Sequence, residues 1–361
     1  VPILCQRFGL PGPHLDSVLR CEHKYWSRCV QQRVTPESVP RFQAVDPFDD
    51  ASIDAIGLSC PFWLKPVKSF ASHLGFRIAS AADLRSAVAR IRQGIAEIGR
   101  PFNDFLARVE QSPEVASVDG LHCIAEEVIS GRQCTMEGFV HAGRVEIYGV
   151  VDSIRHANRS SFSRYQYPSR LPAPVQTRMA ATAEDVIAAT GLDNAPFNIE
   201  FFWDARRDRI WLLEINPRIS QSHGDLFEKV DGIPHHRVVV ELALGQRPAW
   251  ERAAGPFRCA GKFFLRQFSD ALVRRTPTAR EIAAVTEEMP GTLVEVQATE
   301  GMRLSDLEPQ DQDSYSYICA LLFIGADSQR QLVRRYRRCL ELLPFEFTDI
   351  ASRPTAAAAG P

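Results

Sequence analysis

Two apolar runs near the middle of the 361-residue chain each carry an isolated acid, and the chemistry of the sequence starts there. Phe197 to Trp203 and Ile210 to Asn216 are joined by the polar turn Asp204 to Arg209, the pattern of a hairpin. Side chains alternate along a strand, so Glu214 and Asn216 share one face while Ile215 turns inward. A fold about Arg206 and Arg207 brings residue 213 or 214 opposite Glu200. Two carboxylates and an amide oxygen on one surface make a hard oxygen cluster of the kind Mg²⁺ accepts, with phosphate and water completing its shell. An ordinary solvent-facing hairpin whose acids pair with arginine is the competing reading. The setting favours the metal: Phe197, Ile199, Phe201 and Phe202 surround one acid, Trp211, Leu212, Leu213 and Ile215 the other, and like carboxylates repel unless a cation lies between them. Pro217 then ends the strand and Arg218 follows, where a guanidinium could grip a carboxylate, a phosphate or a developing oxyanion.

Composition narrows the classes of function. Lys plus Arg number 42 against 44 Asp plus Glu, a formal charge of -2 that speaks against a nucleic-acid clamp or a polybasic membrane anchor. No apolar run nears the ~20 residues of a membrane span. Nine cysteines without a Cys-x-x-Cys pair suit reduced thiols in the cytoplasm. Only five basic residues are lysine (Lys24, Lys65, Lys68, Lys229 and Lys262), so arginine is the default base and each lysine invites a question.

The elements that must hold these groups follow from periodicity and turn residues. Leu15 to Gln32 reads as helical, Pro61 to Pro66 as a short strand, and Ala81 to Ile98 as a helix with Leu84, Val88, Ile91 and Ile95 on its apolar face. Cys123 to Ile129 and Cys134 to Val140 read as strands about the turn Ser130-Gly131, and Ala173 to Thr190 as a helix capped by Gly191. Strands and helices alternate again from 257 to 350, a separate α+β module, and Ala351 to Pro361 reads as a disordered tail.

In order along the chain, Arg20-Cys21-Glu22-His23-Lys24, Pro61-Phe62-Trp63-Leu64-Lys65-Pro66, Ala125-Glu126-Glu127-Val128-Ile129-Ser130-Gly131 and the Glu200 to Arg218 segment resemble four motifs of the ATP-grasp superfamily. The resemblance spans about residues 20 to 250. It implies an α/β (α+β) fold in which two α+β subdomains sandwich ATP. A remainder of a preceding domain with a helical linker (1–50), a lid subdomain (51–129) and a metal and substrate subdomain (130–250) then precede the C-terminal module (257–350) and the tail (351–361). It also implies that Lys24 and Lys65 hold the ATP phosphates, with Lys68 and Ser72 reaching them from the lid. Glu126 accepts from the adenine amino group, the backbone of Glu127, Val128 and Ile129 completes the hinge, and Gln133 stands where an acidic ribose ligand is common. Glu200, Glu214 and Asn216 take Mg²⁺, as two ions, Arg218 takes the acyl phosphate, and Arg218 and Lys65 are the catalytic residues. Arg155, Arg159, Ser220 and His223 are the candidate substrate contacts.

His23 departs from the family's usual Asp, and the lid segment Lys68 to Gly75 has one glycine where a glycine-rich loop is usual. The implied activity is ADP-forming ligation of a small carboxylic acid to an amine, with a homodimer possible. One alternative is carboxylation of the biotin-carboxylase type, whose glutamate base would fall at Ser222. The other is a nucleotide-binding module without turnover, whose sign would be a lost metal ligand or a lost Lys65.

Overall fold

The computed structural model describes residues 1–70, 73–156, 161–308, 311–313 and 316–349, as an α/β chain built on antiparallel sheets. It divides into two compact units. One comprises Val1–Val150, Arg170–Ser220 and His236–Ala249, the other Val151–Ser169, Gln221–His235 and the chain from Trp250 onward.

The first unit contains a four-stranded sheet in the order Phe42–Val45, Cys123–Glu127, Phe62–Pro66, Phe76–Ile78. Its core face carries Phe62, Leu64 and Ile78, against which the helix Ala81–Leu106 lays Val88, Ile91 and Ile95. Ser80 starts that helix, its hydroxyl accepting from the Asp83 amide at 3.2 Å. The helix runs past the Ile98 expected from periodicity and carries Pro101 within it. Because Phe62 and Leu64 point into the core, strand alternation sends Trp63 and Lys65 to the opposite face. Lys65 lies opposite Ile124 and Trp63 opposite Glu126, so Lys65 and Glu126 are diagonal neighbours on one surface.

A second antiparallel group in this unit runs in the order Arg144–Arg155, Arg132–His141, Ala195–Asp204, Arg209–Asn216, with Arg144–Arg155 continuing past Val150 into the second unit. The helix Ala173–Thr190 packs Met179, Ala183, Val186 and Ile187 against Phe197, Ile199, Phe201 and Leu212. Each of these large apolar side chains contributes on the order of 2 kcal/mol through burial. Gly191 ends the helix with φ 72°, the left-handed conformation that glycine adopts without a Cβ clash.

The amino-terminal helical stretch divides at His23 into Leu15–Glu22 and Lys24–Val34. The break has a local cause. His23 is in extended conformation, its Nδ1 accepts from the Trp26 amide at 3.1 Å, and its Nε2 donates to the Val118 carbonyl at 2.8 Å. Thus the imidazole caps the second helix and adds a bond to a carbonyl that a carboxylate could not make.

In the second unit Phe162–Tyr167, Cys259–Gln267, Ser316–Ala326 and Thr292–Val296 lie side by side as antiparallel neighbours. The helices Ala279–Glu288 and Gln329–Leu342 belong to the core that contains Phe263, Val285, Leu322, Ile324 and Leu332. The former begins with a capping box between Thr278 and Glu281. Among the described residues no helix is long and apolar enough to cross a membrane. All nine cysteines are free thiols.

Candidate active site

The hairpin pairs Asn198 with Asn216, Ile199 with Ile215 and Glu200 with Glu214. The two acids therefore face each other across the strands. Beyond them the register shifts, Phe201 pairing with Leu212 and leaving Leu213 as an extra residue. This bulge changes the phase of the second strand: Leu212 faces the core with Phe201, while Glu214 remains on the site face with Glu200. Amides frame the acids. Gln133 donates to Glu200 Oε2 at 2.7 Å, and Asn216 Nδ2 donates to Asn198 Oδ1 at 3.1 Å and to Glu214 Oε1 at 3.4 Å.

Lysines from distant parts of the chain lie around this surface. Burial works against the charge of Glu214, yet Lys24 and Lys65, then the Asn216 amide and Arg218, outweigh it and hold the carboxyl below its usual range. Lys24 opens the helix that His23 caps, and its ammonium donates to the Ser69 carbonyl at 3.0 Å. Burial, with the nearby charges of Lys65 and Lys68, brings Lys24 down to about 8 despite the opposing pull of Glu214 and Glu126.

Glu126 is buried, and both its oxygens are engaged: Oε2 with Lys65 Nζ at 2.5 Å and Oε1 with Arg28 Nε at 2.6 Å. Burial alone would raise this carboxyl, but Arg28 and Lys65 hold it at about 2. Its side chain therefore sets the lysine, and the role of adenine acceptor expected for it would require a carboxylate already bound to two cations. Arg28 has no motif around it in the sequence; its one signal is its spacing, one helical turn after Lys24 on the same face.

The remaining candidates are placed as follows. The strand Cys123–Glu127 ends at Glu127, whose amide donates to the Arg41 carbonyl at 2.9 Å, so Val128 and Ile129 belong to the link leading into Arg132–His141. That link turns at Gly131, with φ 147°, where a Cβ would fall 2.4 Å from the Trp203 carbonyl oxygen; only glycine fits. Gln133, expected at a ribose, is the residue whose amide donates to Glu200. Lys68 is ion-paired with Glu22, and Phe70 is stacked on His73. Ser72, Arg159 and the 351–361 tail lie outside the described residues.

Arg218 is exposed, its guanidinium 3.3 Å from both Asn216 Oδ1 and the Ile219 carbonyl. The Ser220 amide donates to Glu137 Oε1 at 3.3 Å. In the second unit, Arg155 lies over the Phe162 ring at 4.0 Å. His223 is buried edge-on to Tyr165 and kept neutral by burial, with His235 and Lys262 adding to that effect. Of the two lysines that no motif claims, Lys229 pairs with Asp225 one turn away, and Lys262 donates to Ser222 Oγ at 3.1 Å. A recess of about 770 Å³ lined by Ile3, His14, Asp16, Arg20 and Glu110, among others, includes none of the metal or phosphate candidates.

The donor set suits magnesium. Among the described residues no three His, Cys, Asp or Glu side chains cluster to hold a metal. Two opposed carboxylates and an amide instead offer hard oxygens and leave positions for phosphate and water.

Residues 58–224 match the ATP-grasp domain family. A stretch of 138 residues is 28% identical to the C-terminal section of a carbamoyl phosphate synthase large chain from Methanopyrus kandleri, covering 37% of this chain and 25% of that relative. The chain thus spans about a quarter of that protein's length. Its fold is similar to an L-amino acid ligase from Bacillus licheniformis, with a TM-score of 0.73 and 18% identity over 96% of this chain and 78% of the other. It is also similar to a biotin carboxylase from Campylobacter jejuni, at 0.63 and 16% over 96% and 72%. The shared fold agrees with the family match: residues 58–224 of this chain are similar to an ATP-grasp domain.

Proposed function

We propose that this protein is an ADP-forming ligase that activates a small carboxylic acid as an acyl phosphate and passes the acyl group to an amine. One observation carries the reading: Lys24 and Lys65, from separate motifs, lie close enough to Glu214 to hold it ionised, which gathers cations for phosphate and anions for a metal into one site. Glu200, Glu214 and Asn216 would hold Mg²⁺, in our reading two ions. When bound, the metal neutralises charge on the ATP phosphates.

The chain's own residues supply the positioning. Lys65, oriented by Glu126, and Lys24 hold the phosphates against the attacking carboxylate. The carboxylate oxygen bonds to the γ-phosphorus as its bond to ADP breaks. The amine then adds to the acyl carbon, and phosphate leaves as the nitrogen loses a proton. Arg218, exposed and lightly held, is the group available to the oxyanion and the departing phosphate. Fold similarity to an L-amino acid ligase supports an amino acid as the carboxylate. Nine free cysteines support a cytoplasmic location.

Carboxylation is the weaker alternative, since Ser222 stands at the position of the base and its hydroxyl accepts from Lys262. A screen pairing carboxylic acids with amines in the presence of MgATP, read as ADP against AMP, tests the proposal. ADP formed only when acid and amine are both present is the expected result. AMP would overturn it, and ADP release dependent on bicarbonate would favour the carboxylase.

A further inference from the structure

Arg28 is 2% exposed and makes four hydrogen bonds across three parts of the first unit. Nε donates to Glu126 Oε1 at 2.6 Å; Nη1 donates to Gln31 Oε1 at 2.6 Å and to the Leu212 carbonyl at 2.8 Å; Nη2 donates to the Leu213 carbonyl at 2.8 Å. Leu213 is the extra residue of the hairpin bulge, so its backbone is the part of that strand the ladder serves least. Immediately after it comes Glu214. At its other end the same guanidinium takes one oxygen of the carboxylate whose second oxygen holds Lys65.

We infer that Arg28 is a positioning residue that links the phosphate lysine to the metal strand, so that magnesium strengthens nucleotide binding through it. The inference rests on the ATP-grasp reading above and adds a role for a residue outside its motifs. A planar fork with donors in fixed directions can satisfy a carboxylate on one edge and two successive carbonyls on another. An ammonium cannot span them. With the fork gone, the bulge and the direction of Glu214 are no longer fixed, and Glu126 is free to turn and take Lys65 with it. Groups that orient metal ligands from behind commonly change metal affinity by roughly 10–100-fold.

The test is the dissociation constant for ATP with and without Mg²⁺, measured by calorimetry on the whole chain for the wild type, Arg28→Lys and Gln31→Met. Thermal melts and circular dichroism serve as controls. The readout is the ratio of the two constants, because a purely structural loss weakens both alike and leaves the ratio unchanged. Arg28→Lys is expected to cut the magnesium enhancement by about tenfold or more. Gln31→Met removes the acceptor that steers Nη1, together with the Gln31 amide's own bond to Ser27 Oγ at 2.9 Å; it should cut the enhancement a few-fold and decides the matter if Arg28→Lys does not fold. A folded variant with the wild-type ratio overturns the role of Arg28 and leaves the ATP-grasp reading standing. A wild type that binds no ATP overturns both.

Discussion

The hairpin end of the site and the lysine end are built on opposite principles. At the hairpin, like charges are set against each other: Glu200 faces Glu214, framed by neutral amides from Gln133 and Asn216. At the lysine end the charges are already matched, Lys65 and Arg28 with Glu126 and Lys68 with Glu22. The first arrangement presents two opposed carboxylates, with Lys24 and Lys65 near enough to hold Glu214 ionised, whereas the second pairs its cations before any phosphate arrives. Opposed acids open to a metal at one end, and preorganised charge at the other, are two ways to favour a bound magnesium nucleotide.

Breaking the hairpin end should have the largest effect. Glu214→Gln preserves shape but removes a metal ligand, and turnover of MgATP is expected to fall by ~10³-fold or more with little change in melting temperature. Full ADP production in that variant would show that the opposed acids are ordinary surface residues. Lys65→Met attacks the other end and should lower kcat roughly 10²–10³-fold. Because Arg28 still pairs with Glu126, the fold should survive, as circular dichroism would show.

The matched charges also predict a pH signature. Glu126 titrates at about 2 in the folded chain, below the 4.5 of an ordinary carboxyl, so the unfolded state binds the proton first. Its contribution is present above pH 4.5 and is lost as pH falls towards 2, a loss of about 3 kcal/mol. Urea midpoints followed by tryptophan fluorescence should show this acid slope in the wild type and a reduced one in Glu126→Gln. Equal slopes would mean that the ion pairs contribute little. The smallest expected effect lies at His23. Substitution by alanine should cost roughly 1–2 kcal/mol through the lost cap and the lost bond to Val118. His23→Asp should restore the cap alone, and unfolding curves of the three proteins would rank accordingly.

The contrast between the two ends also explains what could be read in the sequence. The hairpin was legible because period-two alternation and one short turn relate residues close in the chain; that Glu200 meets residue 213 or 214 follows from counting. The bulge at Leu213 was left open, since which of 213 and 214 stands opposite depends on packing of Phe201 and Leu212 in the core. The helix Ala173–Thr190 was legible from its periodicity and Gly191. Arg28 was not, because its partners Glu126 and Leu212 lie 98 and 184 positions away and its helical spacing from Lys24 is too weak a signal among so many arginines. The strand Phe42–Val45, which joins the four-stranded sheet beside Cys123–Glu127, was hidden for a similar reason: three half-buried residues and the buried Val45, between prolines, carry little periodicity. The scarcity of lysine helped where motif and structure meet, around Lys24 and Lys65, and said nothing of Lys229 or Lys262.

The acyl phosphate is the centre of this account, and an isotope follows it directly. With the acid found in the screen labelled with ¹⁸O in its carboxylate, one labelled oxygen should appear in the inorganic phosphate released with ADP, because that oxygen bonds to phosphorus before the amine displaces it. Phosphate free of label, or label found in AMP, would contradict the mechanism.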